Sequence, residues 1–133
     1  MDISKNYKAI SLVRPQVATS TVTGTGVDTL GYADDAMVIV DLGAASGTSA
    51  TNIITIQTSP DNSTWTTVTT FGTLTDTSDN KIACGRINLD AANRRYVRAL
   101  CTIAGTSPSF AFSVCLVLRA EQGSASLNSL TAA

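Results

Sequence analysis

The sequence predicts an all-β protein: a single antiparallel β-sandwich of about eight strands, jelly-roll or immunoglobulin-like, with extended N- and C-terminal arms. The chain of 133 residues contains 20 Thr, 17 Ala and 14 Ser, and only 14% of its residues are charged. Thr fits a pleated sheet better than a helix. Several short runs alternate apolar and polar residues, and clusters of Gly, Pro, Asp, Asn and Ser separate them at spacings typical of sandwiches. We expect one domain over residues 1–133, with an arm at 1–8 and a tail at 120–133.

Four strand candidates are visible from their composition alone, and they lie at residues 9–14, 16–22, 36–42 and 81–88. Each run is bounded by polar or turn-forming residues. The segment LDAANRR at 89–95 is long enough for one helical turn at most. None of these runs supports a helix of three turns, so the expected sheet has no interleaved helices.

The clearest hairpin lies in NIITIQTSPDNSTWTTVTTF, residues 52–71. Ile54 and Ile56 share one face of its first strand. Pro60 presets a turn torsion, and Asp61 and Asn62 tolerate the left-handed backbone that reverses the chain. Trp65 then begins the return strand, where we expect it to cap the core.

A second hairpin is predicted between residues 94–103 and 110–119, with Gly105 and Pro108 at the reversal. In its second strand a stripe of large apolar residues has one parity and should form the main core: Phe110, Phe112, Val114, Leu116 and Leu118. In its first strand the inward residues should be Val97, Ala99, Cys101 and Ile103, which sends Arg98, Leu100 and Thr102 outward.

The motif Tyr-Ala-Asp-Asp at residues 32–35 has the sequence of the metal-binding turn in the palm domain of a reverse transcriptase. In that turn two carboxylates hold divalent ions for phosphoryl transfer. Here only 31 residues precede the motif, and no Lys or Arg occurs between Pro15 and Asn80 to line a nucleic-acid channel. We therefore predict that Asp34 and Asp35 form a polar turn before a buried strand.

Enzyme chemistry is not expected. The chain contains no His, which excludes Ser-His-Asp and Cys-His catalytic groups and leaves out the commonest metal ligand. Asp34 and Asp35 are the only adjacent acids, and the Asp and Asn clusters at 61–65 and 75–80 lack the ligand spacing of a calcium loop. We expect no catalytic residue, no metal and no cofactor.

Nucleic acid and membrane are not expected as partners either. The net charge is −1, and the longest apolar stretch, at 110–118, is about half of the roughly 20 residues that a membrane helix needs. No signal peptide is recognisable at the start of the sequence. Cys84, Cys101 and Cys115 lack metal or redox spacing and are expected to be buried free thiols.

The charges are distributed unevenly along the chain. Seven acids and no base lie between Pro15 and Asn80, whereas Lys81 to Arg98 holds five bases and one acid. This pattern is typical either of a solvated edge or of a basic edge that meets the acidic loops of another subunit. For the second case we predict Arg94, Arg95 and Arg98 as contact residues.

The two ends of the chain are small and polar with a few larger residues. Segments of this composition fray unless something holds them. Ile3 and Tyr7 at the N-terminus, with Leu127 and Leu130 at the C-terminus, are therefore predicted anchors to a neighbouring protein in a larger assembly.

The run ITIQTSPDNSTWTTV, followed by NRRYVRALCTIAGTSPSFAFSVCLVL, resembles small capsid decoration (cement) proteins of tailed bacteriophages. Those proteins show a similar Gln-x-Ser-x-Asp-x-Ser-x-Trp hairpin, then Arg-Tyr-x-Arg-Ala, Gly-Thr-Ser-Pro and a final apolar strand. The resemblance spans residues 38–118. It implies a β-sandwich on the exterior of a virion, assembled in the host cytoplasm, that binds the major capsid protein, forms a dimer or trimer and clamps neighbouring capsid subunits.

Two other functions remain open at this point. The same hairpin pattern occurs in phage tail-fibre modules and in carbohydrate-binding β-sandwiches. A sugar-binding module would use exposed aromatic rings as platforms, and Trp65 is the one tryptophan in the chain. The enzyme alternative depends on Asp34 and Asp35 alone.

Overall fold

The structure is a computed structural model that describes residues 6–78, 80–89 and 94–120, with the side chains of residues 33, 34 and 120 excluded. Its eight strands belong to one hydrogen-bonded sheet, and every pairing is antiparallel. The strands are β1 (Tyr7–Ala18), β2 (Val22–Thr23), β3 (Val27–Asp28), β4 (Tyr32–Ser59), β5 (Thr66–Thr70), β6 (Leu74–Thr75), β7 (Lys81–Asn88) and β8 (Tyr96–Ala120). The all-β prediction is therefore confirmed.

Two very long strands, β4 and β8, form the centre of the fold. They pair from Tyr32 opposite Ala120 to Ser59 opposite Tyr96, and so build one antiparallel ribbon. The ribbon bends in the middle, where both strands adopt left-handed backbone torsions. On β8 the bend contains Gly105 at φ +113°. On β4 it contains Gly47 at φ +125°.

The bend divides the sheet into two layers. Layer A consists of β1, β7, residues 32–46 of β4 and residues 109–120 of β8. Layer B consists of β2, β3, β5, β6, residues 51–59 of β4 and residues 96–104 of β8. Buried residues from both layers form one hydrophobic cluster, so the layers face each other across a shared core.

The predicted core stripes are confirmed. Phe110, Val114, Leu116 and Leu118 are fully buried, Phe112 is 4% exposed, and the inward residues of the 96–104 segment are buried with them. Alternation with period two places these residues on the inner face of each layer. Because burial of one large apolar side chain contributes about 1.5–3 kcal/mol, this cluster is the main source of stability.

The prediction of a hairpin at Gly105 and Pro108 is wrong. The segments on either side of this site do not pair with each other; each pairs with a different half of β4. Gly105 therefore bends the strand out of one layer into the other and does not reverse the chain. For the same reason the two layers are not the separate sheets of a jelly roll or an immunoglobulin domain, because β4 and β8 run through both.

The N-terminal boundary also differs from the prediction. β1 begins at Tyr7, which pairs with Arg119, so the last two residues of the predicted arm at 1–8 belong to the sheet. The two expected strands at 9–14 and 16–22 are instead β1, with register shifts between Ser11 and Val13 and between Val13 and Gln16, followed by the short β2. Pro15 lies at the second shift, where a missing backbone N–H is tolerated. Residues 1–5 of the arm lie outside the described residues.

The hairpin over residues 52–71 is confirmed as β4 turning into β5, with Thr58 opposite Thr66. Asp61 organises its turn: one carboxylate oxygen accepts hydrogen bonds from the backbone N–H groups of Thr64 at 2.9 Å and Ser63 at 3.0 Å. These backbone donors, that of Thr64 first, lower the pKa of Asp61. Asn62 adopts the expected left-handed conformation at φ 62°.

One polar side chain in the core has no hydrogen-bond partner. Asn52 is fully buried near the bend, and neither its amide nitrogen nor its amide oxygen is hydrogen bonded. A buried amide without partners costs about 1–3 kcal/mol. We therefore expect Asn52→Leu, which is similar in size and has no polar atoms, to raise the free energy of unfolding by about 1 kcal/mol or more.

Urea unfolding monitored by Trp65 fluorescence measures this change. Asn52→Asp is the matched control, because it has the same shape but buries a charge and should destabilise the fold. A Leu variant that is less stable than the wild type would show that the amide contributes an interaction that this account lacks.

Candidate interaction surface

The outer faces of the two layers differ in chemistry. On layer B the outward residues are mostly hydroxyl-bearing, with Thr51, Thr55, Thr67, Thr70 and Thr102 among them. On layer A most of the central outward residues are small or apolar, although the exposed Asp41 lies opposite Ile82 and Arg86 lies opposite Met37. We call the small or apolar set the outer apolar face, and it comprises Ala9, Ser11, Met37, Ile39, Ile82, Cys84, Cys115 and Val117.

The outer apolar face contains two of the exposed large hydrophobic residues of layer A, and Val17 is a third that lies outside it. Ile82 is 70% exposed and Met37 is 40% exposed. An open groove of about 420 Å³ runs over the same region between β7 and β8, with Met37, Cys84 and Val117 in its lining. An exposed apolar patch with a groove is typical of surfaces that bind another protein.

Charged and aromatic residues line one end of this groove. Arg86 Nη2 lies 2.6 Å and Nε lies 2.9 Å from Asp35 Oδ1, and both side chains are exposed. Such an exposed pair contributes at most about 1 kcal/mol to stability. Its effect is to set two polar groups at the rim of an apolar surface.

The ion pair also gives a structural role to Asp35, one of the two carboxylates in the Tyr-Ala-Asp-Asp motif. Asp35 binds a cation of its own chain, while the side chain of Asp34 lies outside the description. Among the described residues no group of three or more His, Cys, Asp or Glu side chains could hold a metal ion. The described part of the chain also contains no apolar helix long enough to cross a membrane.

Of the four predicted anchors, only Tyr7 lies in the described part of the chain. Tyr7 lines the groove and pairs with Arg119 at the end of β8. Ala120, the last described residue, pairs with Tyr32 at the same end. The predicted tail therefore starts beside the groove. Ile3, Leu127 and Leu130 lie outside the described residues.

The three predicted contact arginines all bind groups of their own chain. Arg95 forms a two-bond ion pair with Asp28, at 2.8 and 3.0 Å, and its guanidinium lies 5.1 Å from the Tyr96 ring centroid. Arg94 donates to the backbone carbonyl of Asn88.

Arg98 donates to Gln57 Oε1 at 2.8 Å and stacks 4.3 Å over the Trp65 ring. Burial lowers the pKa of Arg98.

The uneven charge distribution is therefore partly matched within the chain. Asp28 and Asp35 belong to the acidic segment, and their partners Arg95 and Arg86 belong to the basic segment. From the sequence, this charge pattern was compatible either with a solvated edge or with a contact between two subunits. Antiparallel pairing of β4 with β7, and of β3 with β8, brings the two segments together in one subunit instead. Contacts of these arginines with another protein stay a prediction.

The sequence predicts that Trp65 caps the hydrophobic core, but in the structure it does not. It is half-buried at the surface of layer B, with Arg98 over one ring face and the backbone of Gly26 beside its edge. A Cβ atom at Gly26 would lie 2.1 Å from Asn62 Oδ1 and 2.9 Å from the ring, so a larger residue there would displace these two side chains. A ring covered in this way offers less surface to a sugar than a free aromatic platform does.

The three cysteines differ in exposure, and only part of the prediction holds. Cys101 is buried, and burial raises the pKa of its thiol to about 12. Cys115 is half-buried, and burial likewise raises its pKa. Cys84 is exposed on the outer apolar face, because its strand lies at the edge of the sheet.

The Asp28–Arg95 pair makes a pH-dependent contribution to stability. The hydrogen bond from Arg95 holds the pKa of Asp28 below its ordinary value. A carboxyl whose pKa is depressed on folding stabilises the protein above its unfolded pKa of about 3.9, and that contribution is lost as pH falls through the folded pKa. We expect Asp28→Asn to unfold more easily than the wild type at pH 7, by about 0.2–1 kcal/mol because both side chains are nearly half exposed.

Thermal unfolding between pH 2 and 7 tests this expectation. The difference between Asp28→Asn and the wild type should shrink as the pH falls through the lowered pKa of Asp28, because the wild-type carboxyl then becomes protonated too. A difference that stays constant down to pH 2 would contradict it.

Comparisons with known proteins show the fold and no family. No family profile matches the sequence, and no curated protein matches it. Among solved structures, the PBSX exported protein XepA superposes with a TM-score of 0.60 at 16% identity, over 97% of this chain and 42% of XepA. The SPBc2 prophage-derived protein YomS matches with a TM-score of 0.49 at 13% identity, over 90% of this chain and 97% of YomS. The chain thus spans about two fifths of the length of XepA, with which it shares its all-β fold.

Proposed function

We propose that this chain is a virion structural protein that decorates the outer surface of a phage capsid and bridges neighbouring major capsid subunits. In this role it has no catalytic residue and needs no cofactor. It acts by covering the boundary between subunits and holding them together.

The outer apolar face is the observation that carries the proposal. A small domain with 14% charged residues exposes Ile82, Met37 and Cys84 together on one layer, next to an open groove. Leaving such a patch in water is unfavourable by about 25 cal/mol per Å² of apolar area, which favours a bound state in which a partner covers it. Layer B, whose outward residues include many threonines, suits the side that faces solvent.

The resemblance and the fold comparison support a phage origin. Residues 38–118 resemble decoration proteins of tailed bacteriophages, and XepA, whose fold is similar, is a phage-derived exported protein. Neither observation identifies the capsid as the partner. The major capsid protein is proposed because the hairpin and final strand resemble those of decoration proteins.

The arrangement of the chain ends suits a bridging protein. Tyr7 and Ala120 both lie at the groove end of layer A, so segments beyond them start beside the proposed contact face. Several weak contacts made by one molecule raise the effective concentration for each further contact. Attachment can therefore be tight although each contact is small.

The outer apolar face can be tested by charge. We expect Met37→Lys to lower the affinity for capsids that lack this protein by about tenfold or more, because a charge would be buried in the contact. Thr102→Lys, an exposed position on layer B, is the matched control and should bind like the wild type. The readout is co-sedimentation with capsids. Equal binding by the wild type and Met37→Lys would rule out this face as the contact.

Deleting the terminal segments tests the second part of the proposal. Removal of residues 1–5 or of residues 124–133 leaves β1 and β8 complete, so the fold should be retained. We expect each deletion to weaken capsid attachment while the unfolding temperature is unchanged. Undiminished binding after both deletions would show that the ends are not anchors.

A further inference from the structure

Strand β7 forms an open edge of layer A. Its eight residues, Lys81–Asn88, pair with β4 on one side, and on the other side they pair with no strand in the described parts of the chain. Arg94 covers only the last carbonyl, that of Asn88. An edge strand exposes a row of backbone N–H and C=O groups that another strand can bind.

This edge lacks the features that usually prevent such binding. Its pairing with β4 runs from Asp35 opposite Asn88 to Leu42 opposite Lys81 without a register shift, so the strand is regular over its whole length. The other edge of the same layer, β1, contains Pro15 and two register shifts. Prolines and bulges protect edges, and β7 has neither.

The charge on β7 is also directed away from the edge. Arg86 is the only charged residue within the strand apart from Lys81 at its start, and its guanidinium binds Asp35 on the neighbouring strand β4, away from the open edge. Ile82 and Cys84 remain exposed on the same face. A strand added here would meet apolar and small side chains, Ala83, Cys84 and Gly85, at the centre of the edge.

We propose that β7 pairs with β7 of a second copy of this chain, antiparallel about a two-fold axis at Cys84. Residues that lie opposite each other in antiparallel strands share a face of the sheet. The two-fold axis must therefore pass between the two copies of the same residue. With the axis at Cys84, Ile82 lies opposite Arg86 of the partner subunit, and Ala83 lies opposite the partner's Gly85. No two like charges become opposite neighbours.

A second copy fits this edge better than an unrelated strand because the edge is complementary to itself. The apolar Ile82 meets the aliphatic stem of an arginine whose charge is already neutralised by Asp35. The small residues at the centre allow close approach of the two backbones. Pairing would join the two copies of layer A into one sheet and make the two outer apolar faces continuous.

The expected complex is a reversible dimer. Seven paired residues on each side, 81–87, give a smaller contact than the roughly 800 Å² per partner of a standard interface, so dimerisation should depend on concentration. Sedimentation velocity over a range of protein concentrations should show a monomer and a dimer. A wild-type protein that stays monomeric at millimolar concentration would overturn the proposal.

Cys84 supplies the sharper test, because cross-strand neighbours have Cβ atoms about 4.5–5.5 Å apart. Mild oxidation of the dimer should give a covalent dimer that Cys84→Ser abolishes, since Cys101 is buried and Cys115 half-buried. A wild-type dimer that gives no covalent product would overturn the register. Cys84→Lys places two charges at the axis and should weaken dimerisation about tenfold or more.

Thr67→Lys, on the exposed β5 strand of layer B, is the matched control. It should dimerise like the wild type, and both Lys variants should keep the wild-type unfolding temperature. A dimer that Cys84→Lys does not weaken relative to Thr67→Lys would show that the interface lies elsewhere. This dimer does not depend on capsid binding, so either proposal can fail while the other holds.

Discussion

Gly105→Ala is expected to destabilise the protein by more than about 3 kcal/mol, because both the backbone conformation and the surrounding space require glycine. Gly105 has φ +113°, which L-residues with a side chain rarely adopt. An added Cβ would lie 2.6 Å from Ala50 Cα and 2.7 Å from the carbonyl oxygen of Ser49. Both atoms belong to the backbone of β4, so they cannot move without opening the bend that joins the layers.

Gly72→Ala is the matched control for this variant. No atom lies within 4 Å of a Cβ at Gly72, and its stability should stay within about 0.5 kcal/mol of the wild type. Urea unfolding measures both variants. A Gly105→Ala protein that unfolds at the wild-type urea concentration would show that the bend does not depend on this close approach.

Phe110→Ala is expected to cost about 3–5 kcal/mol of unfolding free energy. Phe110 is the largest fully buried side chain, and it lies on the inner face of β8 directly after the bend. Removing its ring would leave a cavity at the place where the two layers converge. The loss therefore includes the apolar area returned to water and the contacts that the cavity lining no longer makes.

Val17→Ala serves as the control, because Val17 is 65% exposed on β1 and its truncation should change stability by about 0.5 kcal/mol or less. Thermal and urea unfolding compare the two variants. A loss for Phe110→Ala no larger than for Val17→Ala would contradict the assignment of the core.

The sequence predicted the core well, because the burial of a strand residue depends on its parity. Phe110, Val114 and Leu118 could be assigned from alternation alone, and the structure buries all of them. The turn at Asp61 and Asn62 was also predictable, since its hydrogen bonds are local. Sequence patterns of this kind predict the structure correctly because they depend only on residues that are neighbours in sequence.

The bend at Gly105 could not be distinguished from a hairpin by sequence. Glycine and proline indicate that a strand is interrupted, but whether the chain reverses or bends depends on the opposite strand. Here β4 bends at the same level, at Gly47 and Ser49, and continues its pairing on both sides. The two bends match although they lie far apart in the chain, and a local sequence pattern carries no information about such long-range matching.

The candidate site was only partly predictable. The segment AMVIVDL has apolar residues of both parities, and this signal could have indicated that β4 exposes an apolar face as well as burying one. The arginines were selected from net charge along the chain. Strand pairing, which the sequence analysis did not specify, brings Arg95 to Asp28 and Arg86 to Asp35.

The most direct test of the account is to add the purified protein to phage capsids that lack it and to image the particles by electron microscopy. We predict saturable binding at regular positions on the capsid exterior, with the outer apolar face against the shell and the threonine-rich outer face of layer B toward solvent. Absence of binding to capsids in every maturation state would contradict the central claim that this chain is a capsid decoration protein.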